Sequence, residues 1–245
     1  MYEILYQAAQ EYCADVVECS LNIIQGSDIR PIENHGNIEA GNNEFALWKL
    51  LEYPYRNVAY NKLYKKEIFA GLRYPNKLYE DGFLAYKIFH RLSKYVFIGV
   101  GKYNYVKRED SIMSQQKKYT IKNLDGLEVQ EERYDYLKRK TNEQSIITLA
   151  EYHFFNQILY HYKMILQNEE IDPDKKFRKL IKNKILQNYS SFLNHPMLSE
   201  YKTIIRASKS NLFIFDAIFL YYQLFKKYQD LLYKTRESLR NAIRI

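Results

Sequence analysis

The chain has only two cysteines, Cys13 and Cys19, with no CxxC or Cys/His ligand spacing around them. Neither a disulfide framework nor a zinc site is indicated, and a reducing, cytoplasmic compartment is the expectation. Long apolar runs are missing as well. The most apolar stretch, Asn211–Phe225, is broken by Asp216 and Gln223 and falls short of the ~20 residues needed to span a bilayer. The N-terminus lacks a basic region followed by an apolar core, so no signal peptide is expected. Glycine is absent after Gly126, and only Pro173 and Pro196 interrupt the remainder. The five histidines form no ligand pattern: His153 and His161 are eight apart on one expected helix, not the i, i+4 of a helical metal pair, and read as structural or surface residues. There is no GxSxG, no P-loop and no Gly-rich phosphate turn.

What is present is a globular composition of 245 residues, 47% hydrophobic and 27% charged, enough for one large core or two modest ones. Aromatics reach 16%, with 25 Tyr, a side chain that packs its ring and keeps its hydroxyl wet. The net charge of +8 is unevenly spread: residues 1–60 hold 3 basic and 9 acidic side chains, and residues 61–245 hold 34 and 20. That asymmetry suits an anionic partner such as a nucleotide diphosphate, a phospholipid surface or nucleic acid. Nucleic acid is the weakest of these, because no recognised RNA- or DNA-binding motif accompanies the charge.

In chain order, Met1–Glu11 has helical apolar spacing, and Ala14–Ile24 is β-branched and reads as a strand. Residues 25–43 carry three of the eight glycines and read as a loop or hairpin excursion. Phe45–Leu51 is helical. Lys65–Ala70 reads as a short helix ending at Gly71, and Leu72–Leu78 as extended. A helix with Phe83, Ala85, Ile88, Phe89 and Leu92 on its apolar face opens just after Glu80-Asp81. Tyr95–Val100 and Lys102–Val106 read as two β-like segments joined at Gly99 and Gly101. Periodic patterns over 125–140, 143–168, 173–194 and 211–243 make residues 127–245 almost wholly helical, with Asp172-Pro173 a helix start. The fold class is α/β followed by an all-helical region, helix-dominated overall.

Three segments together resemble glycosyltransferase family 2, the group with the GT-A fold: MYEILYQAAQEYCADVVECS, then NKLYKKEIF…YEDGFLAYKIF, then KYNYVKREDSIM. The resemblance covers residues 1–115, which it marks as the C-terminal, acceptor-side half of the catalytic domain, with 116–245 a helical extension. It implies an inverting transferase that moves a sugar from a nucleotide-sugar donor to a glycan or lipid-linked acceptor. Asp81 becomes the catalytic base, with Glu80 beside it, and Gly82 removes side-chain bulk there. A carboxylate at a helix N-terminus is favoured as the anion and can take the proton of an attacking hydroxyl. The bland reading of the same pair is a helix cap. Asn61 and Lys62 fall near the substrate cleft by resemblance, or else start a polar segment with Leu63 and Tyr64 packing inward. Arg108 and Ser111 match the family's closing Arg…Ser-Ile pattern, where an arginine contacts the diphosphate, or else belong to a solvated charge run.

The resemblance also implies a divalent metal, Mg or Mn, held by a DxD motif shortly before the equivalent of Met1-Tyr2. That motif is absent, and Asp172-Pro173-Asp174 has the letters but reads as a helix cap. On this reading Met1 is an internal methionine, an uncovered sheet edge and apolar face are expected, and the chain alone has no turnover. The competing reading is a non-catalytic, basic helical module that binds a membrane surface or a protein. Residues 211–245 end in six basic and two acidic side chains over Lys226–Ile245. They read either as a peripheral contact with an anionic membrane, at its inner face, or as a helix packed internally.

Overall fold

The computed structural model describes residues 1–108 and 118–243. The chain forms two compact units, Met1–Gln157 and Ile158–Ile245.

The first unit is built on strand β1 (Val16–Gln25), whose alternating side chains serve two faces. Val17 and Cys19, with Val96 and Ile98 of the neighbouring strand, pack under helix α1 (Tyr2–Glu11) through its buried Leu5 and Ala8. On the opposite face, Tyr95 meets the rings of Phe45 from α2 (Asn43–Glu52) and Phe89 from α3 (Glu80–Arg91). The sheet order is β2-β1-β5-β3, with β4 also pairing to β1. Here β2 is Asp28–Ile32, β3 Ile38–Gly41, β4 Lys62–Tyr64 and β5 Tyr95–Val106. Only β1 and β5 run parallel, and the other pairings are antiparallel. The excursion after β1 is therefore a hairpin, and its outer strand β2 is an exposed sheet edge.

The two β-like segments expected at 95–106 are one twelve-residue strand. Its register against β1 slips between Cys19↔Ile98, Ser20↔Gly101 and Leu21↔Tyr103. Gly101 makes the slip feasible: a Cβ there would come within 2.3 Å of Asn22 Oδ1, whose own amide donates to Gly101 O at 3.1 Å. Two other local expectations are corrected. Residues 72–78 form no strand, and 65–70 yields a single 3-10 turn, Lys66–Phe69, too short a segment for an α-helix.

Helix α4 (Asp125–Lys140) closes the first unit against α3. Tyr86 Oη and Lys87 Nζ both donate to Glu132 Oε1, at 2.7 and 2.5 Å. The room left by Gly82 is taken by α4: a Cβ at Gly82 would lie 2.9 Å from Val129 Cγ1. Gly82 thus serves helix packing directly. Helix α5 (Gln144–Leu166) carries the boundary between the units. The second unit continues with α6 (Lys176–Gln187), α7 (Tyr189–Asn194), α8 (Lys202–Ala207) and the long α9 (Leu212–Ile243). The helix expected at 173–194 is two helices, because Asn188 leaves helical geometry. Asp172 acts as a cap: its carboxylate accepts from Phe177 N and Arg178 N at 2.9 and 3.1 Å.

The close approach of α3 and α4 predicts that Gly82→Val lowers stability by about 1–3 kcal/mol through overpacking. Val129→Ala in the same chain should recover part of the loss, so the double variant is more stable than the sum of the singles. Urea midpoints decide it, and strict additivity would show that the two positions do not meet.

Candidate functional site

Face-alternation puts Glu18 of β1 and Tyr95 of β5 on the side of the sheet covered by α2 and α3, in an apolar layer where a lone charge is expensive. The chain answers with a closed polar cluster. Tyr95 Oη donates to Glu18 Oε2 at 2.8 Å and accepts from Arg56 Nη1 at 2.8 Å. Arg56, from the 3-10 turn Pro54–Asn57, lies 3.5 Å from Glu18 Oε1 and donates to Glu33 Oε1 at 2.7 Å. Its guanidinium sits 3.9 Å over the Phe97 ring. Lys62 Nζ reaches Glu18 Oε2 at 3.3 Å, Val58 O at 2.6 Å and Asn61 Oδ1 at 3.0 Å. Two carboxylates and two cations balance. Burial opposes the charge of Arg56, but Tyr95, Glu18 and Glu33 around it hold its pKa above the ordinary value. Burial pushes Lys62 down, with Glu18 working against that, and pushes the Glu33 carboxyl up against the pull of Arg56. Glu33 reaches the cluster from a left-handed backbone conformation, φ +48°, a strained geometry for a side chain of its type.

The segment Val58–Asn61 runs from this cluster to the start of α3. Asn61 donates to Cys19 O at 2.7 Å and accepts, through its own carbonyl, from Cys19 N at 3.0 Å, which fixes the segment to β1. The Ala59 backbone lies near the carboxylate of Asp81 and favours its charged form. Asp81 is half-buried in the first turn of α3 beside exposed Glu80. Burial, then the Glu80 charge, raise its pKa above the usual carboxylate value of 3.8, while Ala59 and Lys62 oppose the rise. The N-cap of α3 is Tyr79, in left-handed conformation at φ +60° and with no side-chain cap bond. Asp81 therefore does not act as the N-cap. The hydroxyls of Tyr60, Tyr64 and Tyr74 all feel its charge, and burial, as the leading cause, raises all three.

Tyr60 also forms the wall of a cleft. Its ring stacks on Tyr103 at 4.3 Å and 22° and on Tyr105 at 5.8 Å and 18°. Register places Arg30, Ile23 and Tyr105 side by side across β2, β1 and β5. With Leu21, Tyr55 and Lys107 they enclose a cleft of about 190 Å³, smaller than the ~300–1,000 Å³ that takes a drug-sized ligand. Tyrosine offers a flat apolar body with a polar tip.

The structure thus brings Asp81, Glu80, Asn61 and Lys62 into one neighbourhood, at different depths. Asn61 and Lys62 are 1% and 5% exposed, and their polar groups are engaged by the protein. They hold the site together from below. Arg108 is exposed, just beyond Lys107, and Ser111 lies outside the described residues. Sequence reasoning missed Tyr60, Arg56 and Arg133. Arg133 of α4 is fully buried, donates to Asn57 Oδ1 at 2.6 Å and Gly82 O at 3.4 Å, and is pushed down to about 10 by burial. Nothing in its local pattern marks it, since helix periodicity puts an arginine outside. Among the described residues no three His, Cys, Asp or Glu side chains gather. Glu80 and Asp81 alone are too few donors for an octahedral divalent ion, so no step is assigned to a metal.

Two predictions follow the electrostatics. Arg56→Leu strands Glu18 and Glu33 beneath the helices and should cost about 3–5 kcal/mol. A urea midpoint that moves by less than a third of that would remove the cluster from the fold's support. At Asp81 the folded state binds the carboxyl proton more tightly than the unfolded chain. The linked stability is complete below about pH 4 and is lost as pH rises through the raised pKa. Asp81→Asn should therefore gain stability over the parent from about pH 4 upward, reaching a plateau once pH has passed the raised pKa. Parallel stability–pH curves for the two proteins would contradict it.

No protein-family model matches the chain, and no curated relative does. Its structure is similar to that of TarS from S. aureus, a glycosyltransferase solved as residues 1–349 in complex with UDP-GlcNAc. The TM-score is 0.59 at 11% sequence identity, over 91% of this chain and 63% of that one. The chain spans less than two thirds of the TarS chain's length, and what the two share is the fold.

Proposed function

We propose that the chain is the acceptor-side portion of an inverting, family 2 type glycosyltransferase, with residues 1–115 contributing to catalysis and 116–245 forming a helical extension. The observation that carries this is the placement of Asp81. It is a half-buried carboxylate with a raised pKa, near the backbone of Ala59, one residue from Tyr60, which walls a cleft of monosaccharide scale. A general base works best when its pKa approaches the working pH, and burial moves Asp81 that way.

In the proposed step, an acceptor saccharide stacked on Tyr60 and Tyr105 turns a hydroxyl toward Asp81. The proton passes to the carboxylate as oxygen bonds to the anomeric carbon. The bond from that carbon to the diphosphate breaks on the opposite side, and the nucleoside diphosphate leaves with the electron pair. The donor class, a nucleotide-sugar, is suggested by the UDP-GlcNAc bound to TarS. Arg108, exposed and next in sequence to Lys107 of the cleft, is the proposed contact to the diphosphate. The divalent metal and the nucleotide are assigned to residues outside these 245. A second reading, a basic non-catalytic module, is favoured by one observation in the second unit, the large apolar side chains left exposed along α9.

The chain alone should show no appreciable sugar transfer, because a base without a positioned electrophile contributes little. In a chain joined to a donor-binding half, Asp81→Asn should lower turnover by about 10²–10⁴-fold with donor affinity unchanged, and Glu80→Gln should do less. Transfer from a UDP-sugar, followed by product release, gives the measurement. Full turnover in Asp81→Asn would end the assignment.

A further inference from the structure

Helix α9 has two apolar sides, and the second unit uses only one. Phe215 and Phe219 are buried and pack on Tyr162, at ring distances of 5.0 and 4.8 Å. Lys226 pairs with Glu200 and holds the middle of the helix to the same unit. On another side stand Phe213, Leu220, Tyr221, Leu224, Tyr228 and Leu231, with Phe213 81%, Leu224 67% and Leu231 62% exposed. Steps of three and four place these residues along one flank, about 27 Å long at the helical rise. An exposed stripe of this size marks a contact surface.

Charge selects the occupant. Exposed Lys227 and Lys234 line the same groove as Leu224, Tyr228 and Leu231, with Asp230 the single carboxylate there. Over Lys226–Ile245 the sequence carries six basic and two acidic residues. A second copy seated on the stripe would bring its own lysines against these. An anionic surface instead supplies the missing counter-charge, and Tyr221 and Tyr228 suit a boundary that is apolar below and wet above. Among the described residues no helix is long and apolar enough to cross a membrane.

We propose that α9 lies flat on an anionic lipid surface, with its Phe213–Leu231 stripe sunk at the headgroup boundary and Lys227 and Lys234 against the headgroups. This holds whether or not the chain takes part in sugar transfer.

Flotation of the chain with phosphatidylcholine vesicles, with and without phosphatidylglycerol, tests it. Binding is expected only to the anionic vesicles and should weaken with added salt. Leu224→Glu with Leu231→Glu should weaken it at least 10-fold. Lys227→Gln and Lys234→Gln should each weaken it roughly fivefold. All four positions are exposed, so an unchanged melting temperature is expected and separates lost binding from lost folding. Failure to float with anionic vesicles, equal binding to neutral ones, or unchanged binding in the leucine variant would overturn the proposal. So would sedimentation showing a dimer that the leucine variant dissolves.

Discussion

A closed set of charges under the sheet governs the first unit. Glu18 sits where strand alternation makes it face inward, and it is tolerable only because Arg56, Lys62 and Tyr95 all converge on it. Desolvating such ions costs several kcal/mol each unless every lone pair finds a partner. The requirement draws in the Pro54–Asn57 turn, β4, β5 and the strained Glu33 at once. Arg56 and Lys62 tie the turn and β4 to Glu18, Tyr95 ties β5 to it by a hydrogen bond, and Glu33 takes up the remaining charge of Arg56.

The consequences reach the surface through a few covalent steps. Lys62 and Asn61 are pinned inside, so Ala59 and Tyr60 are presented at a fixed height. Ala59 then lies near Asp81, and Tyr60 can lie on Tyr103 and Tyr105. From the other side, Arg133 of α4 holds Asn57 and Gly82 O, while Val129 fills the space that Gly82 vacates. Burial and the neighbouring Glu80 charge raise the pKa of Asp81 against the pull of Ala59 and Lys62: the protein keeps a carboxylate where it is less stable charged than in water.

The second unit solves a similar problem more simply. Asp172 caps α6, Arg178 lies between Asp172 and Asp216, and Tyr162 donates to Asp216, so its buried polar groups are paired locally. With that core served by one side of α9, the apolar residues on the helix's other flank stand exposed, and this gives them their weight as a contact surface.

Local periodicity was enough to place α1, β1, α2, the helix opening at Glu80-Asp81 and the helical remainder, because each buries a face whose spacing is written in consecutive residues. Tyr95–Val106 read as two segments because Gly99 and Gly101 look like breaks; paired to β1, they are the bulged part of one strand. Propensity could not reveal β4, three residues whose strand character exists only through pairing with Val16–Glu18. Nor could it show that Asn61 and Lys62 would be buried, since that depends on Glu18, more than forty residues earlier, needing a counter-charge. The sequence by itself determined the class of fold and the carboxylate pair at the start of α3. Tertiary structure alone decided that the 58–61 segment lies near Asp81 and that Tyr60 stacks on Tyr103 and Tyr105, because contacts between distant segments depend on register, which no local pattern encodes.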